Sequence, residues 1–346
     1  MELFDTVATQ GFLTLSRQRP ETFNQPSSFT LADNTTVTLH AAGIIEFSPA
    51  QSVAKAIVLS CGVHGNETAP IEILDELVQG LLTGEIKCQQ GLLVLFGNLP
   101  AMAIGERFCE ENMNRLFSGA HSEAPGLVNE ERRRALQLEQ HIEQFYKANG
   151  SAETRLHYDL HTAIRASKNE KFAVYPLLHG RNHSRSQLAF MAACGVKTIL
   201  LSESPTTTFS YFSSTQFNAH AFTVELGKVR PFGQNDMSRF AAAKSALFGL
   251  VCDSDYQPPQ KPLDELLIYR VNQVINKHYE DFQLHFSDDT ANFSDYEAGT
   301  LLASETGAEY LAQQDGEAIV FPNANVALGQ RALLTVVPTE LERLDD

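Results

Sequence analysis

A chain of 346 residues is longer than one hydrophobic core usually serves, and its 43% apolar and 20% charged residues are those of a globular protein with a substantial core. The net charge of −16, from 26 Lys and Arg against 42 Asp and Glu, argues against nucleic acid or an anionic membrane as a partner, since both need a basic face. It also sets a repulsive field against any anionic substrate, so a site for one has to be built on specific arginines.

The first residues, Met1-Glu-Leu-Phe-Asp-Thr, lack the basic flank and apolar run of an export signal, and no later segment holds about 18 uninterrupted apolar residues. Five scattered cysteines, Cys61, Cys88, Cys109, Cys194 and Cys252, form no C-x-x-C pair and read as reduced thiols in a cytoplasm. Residues 1–50 read as short strands.

From about residue 54 to 252, short β-branched apolar runs alternate with amphipathic stretches, the pattern of an α/β sandwich on a largely parallel or mixed sheet. The first run, Ala56-Ile-Val-Leu-Ser60, is followed by the loop Cys61-Gly-Val-His-Gly-Asn66 and a predicted helix from Glu67, with Pro70 suited to its first turn. Further strands are predicted at Leu92–Phe96, Leu156–Leu160, Phe172–Tyr175, Thr198–Leu201 and Phe222–Leu226, and helices at Asn129–Lys147 and Asp236–Cys252. Ser254-Asp-Tyr-Gln-Pro-Pro-Gln-Lys-Pro262 reads as a linker, and shorter alternating runs with turn formers beyond it read as a smaller β-rich module. The expected division is a domain over residues 1–253 and a β-rich C-terminal domain over 264–346.

No dinucleotide fingerprint, P-loop, G-x-S-x-G or H-E-x-x-H pattern is present, which removes the main support for several enzyme classes. His64-Gly-Asn-Glu67 stands at the carboxyl end of one predicted strand and His161, in Tyr158-Asp-Leu-His-Thr162, at the end of another, where open α/β sheets build their sites. Two histidines and a glutamate make a catalytic zinc set with room for water, although other divalent metals accept the same ligands. Taken singly, an H-x-x-E pair arises by chance, and His161 reads as well as a core histidine satisfied by backbone groups. Amide cleavage also needs a proton shuttle, for which Glu225 in Phe222-Thr-Val-Glu-Leu-Gly-Lys228 is the candidate; the alternative is a surface carboxylate paired with Lys228. Arg107-Phe-Cys-Glu-Glu-Asn-Met-Asn114-Arg115 could clamp carboxylates with its guanidinium forks, or be solvated surface.

Together, His64-Gly-Asn-Glu67, Asn112-Met-Asn-Arg-Leu-Phe117, Asp159-Leu-His-Thr162 and Thr223-Val-Glu-Leu-Gly227, in this order, resemble the succinylglutamate desuccinylase and aspartoacylase family, a branch of the zinc-carboxypeptidase clan. Leu160-His-Thr-Ala-Ile-Arg165 and Pro231-Phe-Gly-Gln-Asn-Asp236 side with its desuccinylase branch, and the resemblance reaches Phe321-Pro-Asn and Val326-Ala-Leu-Gly329. It implies a zinc-carboxypeptidase-like mixed-sheet α/β sandwich with a smaller β-rich C-terminal domain. It implies one Zn2+ per subunit on His64, Glu67 and His161, with Glu225 as general base and acid. Arg107 would polarise the carbonyl, Asn114 and Arg115 would grip a substrate carboxylate, and Arg165 would be a further anion-binding residue. The implied reaction is hydrolysis of N-succinyl-L-glutamate, a small acidic substrate, in the breakdown of arginine. The alternatives are an aspartoacylase-like or carboxypeptidase-like hydrolase and a zinc-stabilised dicarboxylate-binding protein without turnover.

Overall fold

The run Ala56-Ile-Val-Leu-Ser60 is apolar at successive positions, so a strand made from it needs cover on both faces. In a computed structural model, which describes residues 2–259, 263–341 and 344–345, it lies in the strand Lys55–Cys61, buried from Ala56 onward. Ile57, Leu59 and Cys61 enter one core, and Ala56 and Val58 enter another on the opposite face. Residues 260–262, the end of the expected linker, and residues 1, 342, 343 and 346, near the ends of the two expected domains, lie outside the described residues.

Among the described residues, thirteen strands share one mixed sheet. Its centre runs, neighbour by neighbour, through Gly91–Phe96, Lys55–Cys61, Thr154–Ala163, His220–Lys228, Phe172–Tyr175 and Thr198–Leu201. The pairs from Gly91–Phe96 to His220–Lys228 are parallel, whereas His220–Lys228 and Phe172–Tyr175 are antiparallel. Parallel strands put their carboxyl ends together, which gathers His64, His161 and Glu225 at one rim. Helices Thr68–Thr83, Arg185–Ala193 and Ala241–Cys252 supply one core, and Glu130–Ala148 and Phe209–Phe217 supply the other. None of the described helices is long and apolar enough to cross a membrane.

All six strands predicted between residues 56 and 226 are present, most of them longer than expected. The amino terminus departs from its reading as strands: helices Glu2–Gln10 and Phe12–Gln18 precede the strands Ser27–Thr30, Thr36–Ala41 and Ile44–Ser48. Val7, Phe12 and Leu15 are buried along them, and Gly11, at φ +87°, takes the turn between the two helices. Helix Phe209–Phe217 also went unread, because its aromatic and hydroxyl residues favour other structure; burial of Phe209 and Phe212 overrides that preference.

Among the described residues beyond 262, the regular elements are strands apart from one short helical turn; four of these strands continue the large sheet, and three others form a small sheet of their own. Leu267–Asn276 pairs parallel with Thr198–Leu201 and antiparallel with Arg331–Pro338. Phe172 and Leu200 of the central sheet share a core with Phe293, Val320 and Val336, so the C-terminal strands are fixed against the strand next to Glu225.

Candidate active site

His64 comes from the loop after Lys55–Cys61, and Glu67 immediately precedes helix Thr68–Thr83. Gly65 is demanded by sterics, since a Cβ there would run into the backbone of Ala101 and Met102. The seated loop is tied to Arg107, whose carbonyl accepts from the Gly65 N–H at 3.1 Å. His161 lies near the end of Thr154–Ala163 and pairs across the strands with Glu225, which places both side chains on one face.

His64, Glu67 and His161 are all buried, with one possible ligand atom from each lying within 4.8 Å of the others. His64 Nε2 lies 2.9 Å from Asn112 Oδ1, a carbonyl oxygen already oriented by the Asn114 N–H, so the ring nitrogen is the donor. Burial, with Arg107 nearby, pulls the His64 pKa down to about 4, which keeps the ring neutral and leaves Nδ1 a lone pair. That lone pair is buried without a hydrogen bond, 2.8 Å from Glu67 Oε1. Two acceptors so close need a cation between them, and the donor set suits a divalent metal.

His161 is held differently. Its Nε2 lies 2.8 Å from Asp159 Oδ2 and its Nδ1 2.9 Å from Glu67 Oε2. Burial opposes charge on this ring, but Asp159 and Glu67 outweigh it and raise the pKa well above the usual imidazole value. Glu67 Oε1 accepts from Arg107 Nη1 at 2.7 Å, and Oε2 from the Thr162 N–H at 3.1 Å.

Glu225 is buried beside this cluster, and its Oε2 has no hydrogen-bond partner. Burial first, then the Glu67 carboxylate, push its pKa up to about 7, against the opposing pull of His161 and Arg107. A carboxyl group poised there can take and return a proton near neutral pH. It is buried, so the reading of Glu225 as a surface carboxylate is set aside.

The segment from Arg107 to Phe117 is held from below by helix Glu130–Ala148. Arg132 grips Glu111 through Nε and Nη2 at 2.7 and 2.8 Å, and Glu131 Oε1 accepts from the Cys109 N–H at 2.7 Å. Asn114 Oδ1 accepts from the Phe209 N–H at 3.2 Å, which turns the donor end of the amide the other way. Arg115 is half-buried, and burial together with Arg331 and Arg107 drives its pKa well below the ordinary guanidinium value.

Arg331 is the residue that reading the sequence missed. It begins the strand Arg331–Pro338, lies over the Phe321 ring at 5.5 Å, and has a buried Nε without a partner. Burial lowers its pKa to about 10, and no acidic residue is among the influences on either Arg331 or Arg115. Nothing local marks Arg331, because only the folded chain brings it near Arg115. The Arg165 guanidinium donates to the carbonyls of Thr290 at 2.9 Å and Pro322 at 3.4 Å, tying the segment that follows the His161 strand to two C-terminal loops.

Residues 53–250 match the model of the succinylglutamate desuccinylase/aspartoacylase catalytic domain, and residues 264–339 that of the AstE/AspA barrel-sandwich hybrid domain. A succinylglutamate desuccinylase of Pseudoalteromonas atlantica is 57% identical over 343 residues, covering 99% of this chain and 98% of that protein. One from Shewanella frigidimarina is 50% identical, covering 99% of each chain. The crystal structure of the succinylglutamate desuccinylase from Chromobacterium violaceum superposes with a TM-score of 0.83 at 40% identity, covering 96% of this chain and 98% of that one. Murine aminoacylase 3 shares the fold, with a TM-score of 0.54 at 17% identity over 84% of this chain and 97% of that one.

Proposed function

The chain belongs to the succinylglutamate desuccinylase/aspartoacylase family, and from that membership we propose that it hydrolyses the amide bond of N-succinyl-L-glutamate to succinate and L-glutamate. The observation that carries this reading is Glu225, buried beside the His64-Glu67-His161 cluster with its Oε2 without a hydrogen-bond partner and its pKa pushed up to about 7.

His64, Glu67 and His161 would hold one Zn2+ per subunit, which when bound polarises the scissile carbonyl and lowers the pKa of water toward about 7. Glu225 takes the proton of the attacking water and returns it to the leaving nitrogen of glutamate, a role its raised pKa fits. Arg107 fixes Glu67 through one nitrogen and offers the rest of its fork to the developing oxyanion. Asn114 and Arg115, joined by Arg331, hold substrate carboxylates in register. N-Succinylglutamate carries three carboxylates, and cations without acidic neighbours offset the repulsion of a chain with net charge −16. Arg165, whose guanidinium donates to the Thr290 and Pro322 carbonyls and keeps further N–H donors, would be an additional anion-binding residue in this scheme.

The same reading places the enzyme in the cytoplasm, in the breakdown of arginine through succinylated intermediates, with a small acidic substrate rather than nucleic acid or membrane as its partner. The test is metal analysis of the purified protein beside hydrolysis of N-succinylglutamate, N-acetylaspartate and a short peptide, with and without chelator. Release of glutamate from N-succinylglutamate that stops on metal removal is expected. Activity indifferent to complete metal removal sinks the metal assignment, and preference for N-acetylaspartate sinks the substrate assignment.

A further inference from the structure

Behind His161 a row of buried polar side chains leads away from the site. His157, Asp159 and His161 alternate along one strand and so share one face, and Ser60 stands opposite Asp159 on the neighbouring strand. Ser60 Oγ donates to Asp159 Oδ1 at 2.6 Å and lies 2.8 Å from His157 Nε2, while His157 Nδ1 lies 2.8 Å from Ser213 Oγ on helix Phe209–Phe217. Ser60, His157, Asp159 and Ser213 are all at most 1% exposed, so water does not share these bonds.

The direction of every bond in the row follows from proton count. A carboxylate only accepts, so the single Ser60 hydroxyl proton goes to Asp159, and towards His157 the same oxygen has to accept. His157 is therefore the Nε2–H tautomer, accepting at Nδ1 from the Ser213 hydroxyl. Burial keeps the ring neutral, and Phe209 meets it edge-on at 4.8 Å. With Oδ1 of Asp159 occupied by Ser60, Oδ2 is the oxygen left for His161 Nε2, and Nδ1 of His161 is the nitrogen turned to Glu67.

We propose that Ser60, His157 and Ser213 are positioning residues that lock Asp159, and through it the tautomer and angle of His161, so that the site retains its metal. His64 has only the neutral Asn112 amide behind it, so the anchored carboxylate makes His161 the stronger of the two nitrogen donors. The inference rests on the metal-site reading above.

The experiment measures zinc affinity by competition with a chromophoric chelator, together with the absorption spectrum of the cobalt-substituted protein. Wild type that fails to bind zinc removes the metal-site reading itself. With wild type binding, Ser60→Ala and His157→Phe are expected to weaken zinc binding about tenfold, the lower end for loss of an outer partner, and to shift the cobalt spectrum. Ser60→Thr restores both. Tyr146→Phe is the control, since it deletes an equally buried bond to the same strand, from Tyr146 Oη on helix Glu130–Ala148 to the Leu156 carbonyl at 2.7 Å. It is expected to lower the Tm of the metal-free protein without changing zinc affinity. The relay is overturned if Ser60→Ala and His157→Phe bind zinc as tightly as wild type, or if Tyr146→Phe weakens binding equally. Should the variants fail to fold, 15N-resolved NMR of wild-type His157 decides: an Nδ1–H tautomer at neutral pH contradicts the row, and Nε2–H supports it.

Discussion

Around Glu67 each carboxylate oxygen is crowded by nitrogen at 2.7–2.9 Å, from Arg107, His64 and His161, whereas half-buried Arg115 is depressed by burial and by Arg331 and Arg107, and half-buried Arg331 by burial alone. The first region is compensated internally except for the lone pair of His64, and in the second no carboxylate is among the influences on either arginine. Burying like charges together costs stability, a cost that the substrate carboxylates of the proposed reaction would offset. Glu225 stands beside the first region, where burial and then the Glu67 carboxylate push its pKa up to about 7 against the pull of His161 and Arg107.

The largest effect is expected at Glu225. Glu225→Gln keeps shape and removes the proton shuttle, so kcat is expected to fall by about 10²–10⁴-fold with metal content unchanged in elemental analysis. A loss of metal in that variant would show that Glu225 belongs to the compensated half instead.

Arg115→Met tests the arginine half. Loss of a charge-assisted contact of about 1.5–3 kcal/mol raises KM roughly 10–100-fold, while relief of burial and repulsion raises the Tm of the ligand-free enzyme. Scanning calorimetry showing a lower Tm would break the comparison, because Arg115 would then be a structural cation. Arg331→Met should behave alike on a smaller scale, with KM up about tenfold for a partly exposed contact and kcat nearly unchanged. Free succinate should raise the Tm of wild type more than that of Arg331→Met.

The smallest effect lies outside both halves and sharpens them. His141 is half-buried next to His40, and burial first, then His40 and Arg134, lower its pKa from 6.5 to about 4. Unfolding lets it take up a proton, so its contribution is complete above pH 6.5 and is lost as pH falls toward 4. Buried His157 adds in the same direction. His141→Phe is expected to flatten the fall of Tm over that range while zinc retention stays as in wild type, separating acid unfolding from acid loss of metal.

How much of this could be read beforehand follows from the range of each interaction. The strand runs and the carboxyl-end positions of His64, His161 and Glu225 were legible because burial on both faces and parallel pairing leave local marks. The amino-terminal helices and Phe209–Phe217 were not, since their packing, more than their propensity, makes them helical. Asp159 has no evident role in the motif Asp159-Leu-His-Thr162 by itself, although the alternation His157, Asp159, His161 signals three side chains on one face.

The sequence by itself determined which chemistry was on offer: two histidines and two glutamates at strand ends, a loop with Arg107 and Arg115, and family motifs spread through both modules. Only the tertiary structure decided how these groups are poised. Ser60 meets His157 across 97 positions of chain, Arg331 of the last long strand comes near enough to Arg115 to depress its pKa, and Arg165 turns to Thr290 and Pro322. Proton direction, pKa and uncompensated charge depend on distances of a few ångströms between segments remote in sequence, and no local pattern encodes those distances.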